Sequence, residues 1–213
     1  MNMKMTKAGW TTLWVAAMAV VPLRVFLMGS APVESVVKAA EPVTRKMAKP
    51  AAAQYDSKGQ LMRPEDHREW MFVGAPVTPN DMNDGKAAFP EFHNVYIDPA
   101  SYTAYKKSGD FPEGTVILKE LVSVGGKEMP SGKGYFQGEF VSLEAMVKDN
   151  SRFKDEPGGW AFFRFGEAPH YKSVGARMQT ADCSTCHMGA TEDYVFTATY
   201  PVLRAVKAKL MTK

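Results

Sequence analysis

The clearest two-sided alternation in this chain runs from Thr115 to Val124. Thr115, Ile117, Lys119, Leu121 and Ser123 fall on one side, and Val116, Leu118, Glu120, Val122 and Val124 on the other. A period of two is that of a strand. Phe92 to Ile97 repeats it, with His93, Val95 and Ile97 opposite Phe92, Asn94 and Tyr96, and Asp98-Pro99 ends the run. Tyr135 to Leu143 is a third strand, with Glu144 at its end. Trp160 to Phe165 is a fourth, following the turn signal Pro157-Gly158-Gly159. Helical spacing is predicted over Pro64 to Val73, with Glu65 and Asp66 early and Trp70 facing inward. It recurs over Ala100 to Lys107, closed by Ser108-Gly109, and over Pro201 to Leu210, with Pro201 in the first turn. Gly74 to Phe89 reads as a loop, Gly125-Gly126 as a turn and Pro130 to Gly134 as a polar loop. The predicted fold class is α+β, a small antiparallel β-sheet with flanking helices.

Charge divides the chain unevenly. The formal net charge is +3, yet residues 54–213 carry 19 Lys/Arg against 21 Asp/Glu, a net of −2. The basic excess lies in the first 53 residues, so no basic stripe is left for nucleic acid. Lys4 and Lys7 precede an uncharged, mostly apolar run of 12 residues from Trp10 to Val21, broken by Pro22 and Arg24. That length suits the apolar segment of an export signal and is short for a membrane span. Residues 1–31 are therefore expected to be a signal peptide or N-terminal anchor. Residues 32–54, rich in Ala, Pro, Val and Lys, are expected to be a flexible linker, and 55–213 the folded domain.

Cys183-Ser184-Thr185-Cys186-His187 reads C-x-x-C-H, the attachment signature of a c-type haem. Two thiols at this spacing reach two vinyl groups on one porphyrin edge, and the following imidazole offers a proximal iron ligand. These are the only two cysteines in the chain. A redox pair or disulfide needs the same two cysteines but not the histidine. Covalent haem attachment follows export in bacteria, so the N-terminal signal and the motif support one another and point to the periplasm. The motif lies late in a strand-containing chain, unlike the all-helical small cytochromes that carry it near the N-terminus.

Several collinear stretches carry a family resemblance. They are Arg68-Glu69-Trp70, Thr78-Pro79-Asn80, FPEFHNVYIDP (Phe89 to Pro99), GTVILKELVSVG (Gly114 to Gly125), GYFQGEF (Gly134 to Phe140), LEAMVKD (Leu143 to Asp149), GWAFFRF (Gly159 to Phe165) and VFTATYPVLR (Val195 to Arg204). In these the chain resembles cytochrome P-460 and its relative cytochrome c′-beta, over about residues 56–205. The resemblance implies a homodimer and one haem c per chain, five-coordinate, with an open distal side. It implies that Lys119 matches the lysine whose side-chain nitrogen is bonded to a porphyrin meso carbon in cytochromes P-460. It also implies oxidation of hydroxylamine to nitrous oxide or other nitrogen oxides, with electrons passing to an acceptor such as another cytochrome c. In cytochromes c′-beta the bond is absent, and the implied function is nitric oxide binding without turnover.

The residues themselves leave alternatives open. A lysine at position 119, on a face shared with Ile117 and Leu121, must snorkel, pair or react, or else lie on a solvated face. His93 is either a core or edge histidine or a distal group near the iron, where some relatives carry arginine; as an iron ligand it would close the site. Glu144 is a surface carboxylate or a proton acceptor of the pocket. Glu120 faces the other side of the sheet from Lys119 and is an unlikely partner for it. Phe89 and Phe92 are candidates to line the distal cavity, with core packing as the alternative. Arg164 is a candidate partner for a haem propionate. Met129, Met146 and Met178 are candidate sixth ligands in an electron-carrier reading.

Overall fold

The structure is a computed structural model that describes residues 53–190 and 192–212. The expected signal or anchor (1–31) and almost all of the expected linker (32–54) lie outside the described residues. Among the described residues no helix is long and apolar enough to cross a membrane.

Seven strands form one antiparallel sheet: β1 (Leu61–Met62), β2 (Met71–Gly74), β3 (Phe92–Ile97), β4 (Val116–Val124), β7 (Gln137–Lys148), β8 (Trp160–Glu167) and β9 (Val174–Arg177). Their spatial order is β1-β9-β8-β7-β4-β3-β2, while β5 (Glu128–Met129) and β6 (Gly132–Lys133) form a separate small hairpin. Three α-helices are described: α1 (Pro99–Ser108), α2 (Thr180–His187) and α3 (Pro201–Met211). The fold is α+β with an antiparallel sheet, as the alternation predicts.

The sheet is covered on both faces, which is why β4 is so uniformly apolar. On one face Val95, Ile97, Ile117, Met146 and Phe162 pack with Tyr105 of α1 and with Leu203 and Val206 of α3. On the other, Val116, Leu118, Leu143, Val147, Phe163 and Phe165 pack with Leu61 and Trp70. Asp98, 1 % exposed, ties the layers together. One of its oxygens caps α1 by accepting from the Ala100 and Ser101 amides, and the other accepts from the Val116 amide at the start of β4. Gly109, at φ 79°, closes α1 in the left-handed conformation that glycine adopts without steric cost.

Three expectations are corrected. The helix expected over Pro64 to Val73 is one 3₁₀ turn, His67–Glu69, followed by strand β2, because Met71 and Phe72 find partners in Ile97 and Tyr96 of β3. The polar loop Pro130 to Gly134 contains strand β6 of the small hairpin. The third strand does not end near Glu144 but runs on to Lys148, paired on both sides by β4 and β8.

Candidate functional site

Lys119 and Glu144 are direct cross-strand partners in the β4–β7 ladder. Lys119 Nζ lies 2.8 Å from Glu144 Oε2. The Nζ also stands 4.2 Å from the centroid of the Phe89 ring, a cation–π distance, so the amine is held between an aromatic face and a carboxylate. Glu144 is 7 % exposed, and its other oxygen, Oε1, is buried without a hydrogen-bond partner. His93, on the same sheet face, sits edge-on to Phe89 with ring centroids 5.9 Å apart. Burial, and then the Lys119 charge, push the His93 imidazole down to about 4, against a smaller upward pull from the Phe89 backbone and Glu144. Its Nε2 is also buried and unpartnered.

These groups line one wall of a cavity of about 330 Å³. Helix α2 supplies the facing chemistry: Cys183, Cys186 and His187 all line the same cavity. His187 Nδ1 lies 2.7 Å from the Tyr194 carbonyl. A proton on Nδ1 donated there leaves Nε2 as the free ring nitrogen, the arrangement of a metal-ligating imidazole oriented by a backbone carbonyl. Phe162 and Phe196 flank the ring, each with its centroid 4.8 Å away, and burial lowers the imidazole's basicity. Burial, followed by the Glu144 charge, pushes the Cys183 thiol up to about 11; its Sγ lies 3.9 Å from Met178 Sδ.

Sequence reasoning missed what orients His187. Asp193 and Tyr194 both have positive φ, 46° and 61°, an uncommon conformation for side-chain-bearing residues. Asp193 is fixed there by an ion pair with Lys148 and by a hydrogen bond from Trp160 Nε1 at 3.3 Å. The anchored turn aims the Tyr194 carbonyl at His187. Nothing in the pair Asp193-Tyr194 marks such a turn, since neither residue favours it as glycine would.

The remaining candidates separate. Phe89 lines the cavity, but Phe92 does not. Alternation along β3 sends Phe92 to the face opposite His93, and it packs beside its β4 partner Val122. Arg164 is likewise outside the cavity lining; it pairs with Glu167 and stands 3.9 Å from Glu144 Oε1. Met146 and Met178 line the cavity, whereas Met129 is in the hairpin and 43 % exposed. Glu120 faces away from Lys119, as expected, and is 1 % exposed. There it accepts from Arg68 at 2.6 Å and lies 3.7 Å from His67 Nε2. Burial raises its carboxyl, but the nearby His67 and the hydrogen-bonded Arg68 outweigh this and hold it below its ordinary value.

The cavity suits a haem. Its walls are mostly apolar and aromatic, as a macrocycle requires, and two thiols and a backbone-oriented imidazole converge on it from one helix. Two orphaned buried polar atoms, on His93 and Glu144, belong to the wall formed by the sheet. Among the described residues no group of three or more His, Cys, Asp or Glu side chains could hold a bare metal ion. No curated protein matches the sequence significantly. The family model described as cytochrome P460 matches residues 64–197, which span β2 to the α2 motif and the turn behind it. With well over half of its length matched, the chain belongs to the cytochrome P460 family and is a haem protein.

Proposed function

We propose that the chain is a c-type haem enzyme that oxidises hydroxylamine to nitrous oxide or other nitrogen oxides. The observation that carries this reading is Glu144: a buried carboxylate in the cavity, with one oxygen on Lys119 and the other, 3.9 Å from Arg164, without a hydrogen bond. Hydroxylamine must lose protons as it is oxidised, and a pocket for it needs a proton acceptor. Nitric oxide has no proton to give. The haem, held by thioethers to Cys183 and Cys186 and by His187, would supply a redox-active iron with an open position for the substrate. Glu144 accepts protons at Oε1, Phe89 and Phe162 exclude water, and Lys119 would bond the porphyrin edge. That bond would alter the macrocycle's electronics. We further propose that the protein works in the periplasm, on the strength of Lys4, Lys7 and the apolar run Trp10 to Val21. It would act as a homodimer and pass its electrons to a cytochrome c.

A second reading is nitric oxide binding without turnover, as in cytochromes c′-beta. It is favoured by one observation: the Lys119 amine is engaged in an ion pair rather than free to react. The optical spectrum of the dithionite-reduced haem-loaded protein separates the two. A strongly red-shifted Soret band that disappears in Lys119→Arg, together with hydroxylamine oxidation, supports the enzyme. An ordinary ferrous c-type Soret band in the wild-type protein sinks the cross-link and leaves the binding module.

A further inference from the structure

Glu144 has a task in the reading above, and His93 has none. His93 opposes Leu121 in the β3–β4 ladder, so Lys119 is its diagonal neighbour, about 7 Å away along the same sheet face. The imidazole is sensitive to the charges of both Lys119 and Glu144, which places all three in one electrostatic environment. Phe89 stands edge-on to the ring with centroids 5.9 Å apart, and Thr78 Oγ1 donates to the Phe89 carbonyl at 2.6 Å, so Phe89 is held by the loop that leads into β3. His93 Nε2 is buried and without a partner, and in the neutral tautomer protonated at Nδ1 it is an acceptor.

An orphaned buried polar atom is costly, so its retention in a cavity wall calls for a ligand that meets it. Glu144 Oε1 is the second such atom in this cavity. The site thus presents two acceptors: Lys119 is engaged with the other Glu144 oxygen, and Arg164 stands 3.9 Å from Oε1 without hydrogen-bonding it. The matching ligand is small and carries two donor groups. Hydroxylamine has an amino group and a hydroxyl; nitric oxide has neither.

Resting on the hydroxylamine reading, we infer that His93 is a substrate-contacting, specificity-determining residue whose Nε2 accepts a hydrogen bond from hydroxylamine while Glu144 Oε1 takes the other. Discrimination between hydroxylamine and nitric oxide then resides in the protein's acceptors and not in the iron alone.

The test compares anaerobic optical titrations of the ferric, haem-loaded protein with hydroxylamine and with nitric oxide, in wild type, His93→Phe and His93→Gln. His93→Phe keeps a ring and removes the acceptor; His93→Gln keeps an acceptor. The expected result is a loss of about tenfold in hydroxylamine affinity for His93→Phe, the worth of one hydrogen bond. Nitric oxide affinity should stay within about twofold, and His93→Gln should recover most of the loss. An unchanged hydroxylamine affinity in His93→Phe overturns the inference. So does an equal weakening toward both ligands, which would mark a packing role. Should His93→Phe fail to load haem, the outcome rests on His93→Gln alone: near-wild-type discrimination supports the role, and lost discrimination overturns it. A wild-type protein that does not bind hydroxylamine overturns the function itself, and this inference with it.

Discussion

Glu144→Gln tests the site most directly, because it removes a charge and a proton acceptor while keeping the side chain's volume. At 2.8 Å and an effective dielectric constant of about 20, the gross attraction between Lys119 and Glu144 is about 6 kcal/mol. Desolvation of two ions in a largely buried site offsets most of this. What remains is of the order of a charge-assisted hydrogen bond, about 2 kcal/mol. A domain with a total stability of about 5–15 kcal/mol survives that loss, so the variant should load haem and stay folded. The catalytic consequence is larger: loss of a positioned proton acceptor lowers turnover by about 100- to 10,000-fold. The assay is the initial rate of anaerobic hydroxylamine oxidation with a soluble electron acceptor, with nitrous oxide measured by gas chromatography and urea unfolding run in parallel. A variant that turns over within threefold of wild type would refute the role of Glu144. A stability loss well above about 4 kcal/mol would refute the ledger for the pair.

Three further outcomes are expected. Cys183→Ser with Cys186→Ser should abolish covalent haem, seen as loss of haem stain on a denaturing gel, and each single variant should retain one thioether. Arg68→Ala leaves the Glu120 carboxylate, 1 % exposed, with only His67 beside it; Arg68 is half-exposed, so the cost falls at the lower end for a broken buried pair, about 3 kcal/mol by urea unfolding. Lowering the pH from about 6.5 toward 4 should destabilise the protein through His93. Its folded-state value is depressed to about 4 from an ordinary 6.5. In that window the unfolded chain binds a proton that the folded chain does not, so stability falls as pH falls. His93→Gln should flatten that part of the pH profile of unfolding; an unchanged profile would show that His93 does not contribute.

What could be read from the sequence depended on whether the information was local. The period of two in β3 and β4 put His93, Val95, Ile117 and Lys119 on one face, and that face carries the cavity wall. The same period excludes Phe92 from that face, since its parity is opposite to that of His93; its aromatic character suggests the cavity, but register decides. C-x-x-C-H identified the chemistry of α2 but not its conformation. The helix has no amphipathic stripe, and its eight residues present ligands instead of packing a core face. Strand β2 was hidden because Glu65 to Trp70 favour a helix locally, while the pairing partner that decides the matter lies some 25 residues on, in Tyr96 and Ile97. Glu144 is expected at the end of the third strand; pairing on both sides by β4 and β8 carries the strand on through it to Lys148. The Lys119–Glu144 pair and the buried Arg68–Glu120–His67 group are products of register and loop path, so neither could be read from residue spacing.

The protonated state of Cys183 bears on the order in which this protein matures. A thiol pushed up to about 11 is ionised at neutral pH to only roughly one part in ten thousand, and the thiolate is the reactive form. Burial against the cavity wall thus favours the unreactive, protonated form of the first thiol of the motif. A thioether to Cys183 would therefore form more readily while α2 is still undocked and its sulfurs are solvated.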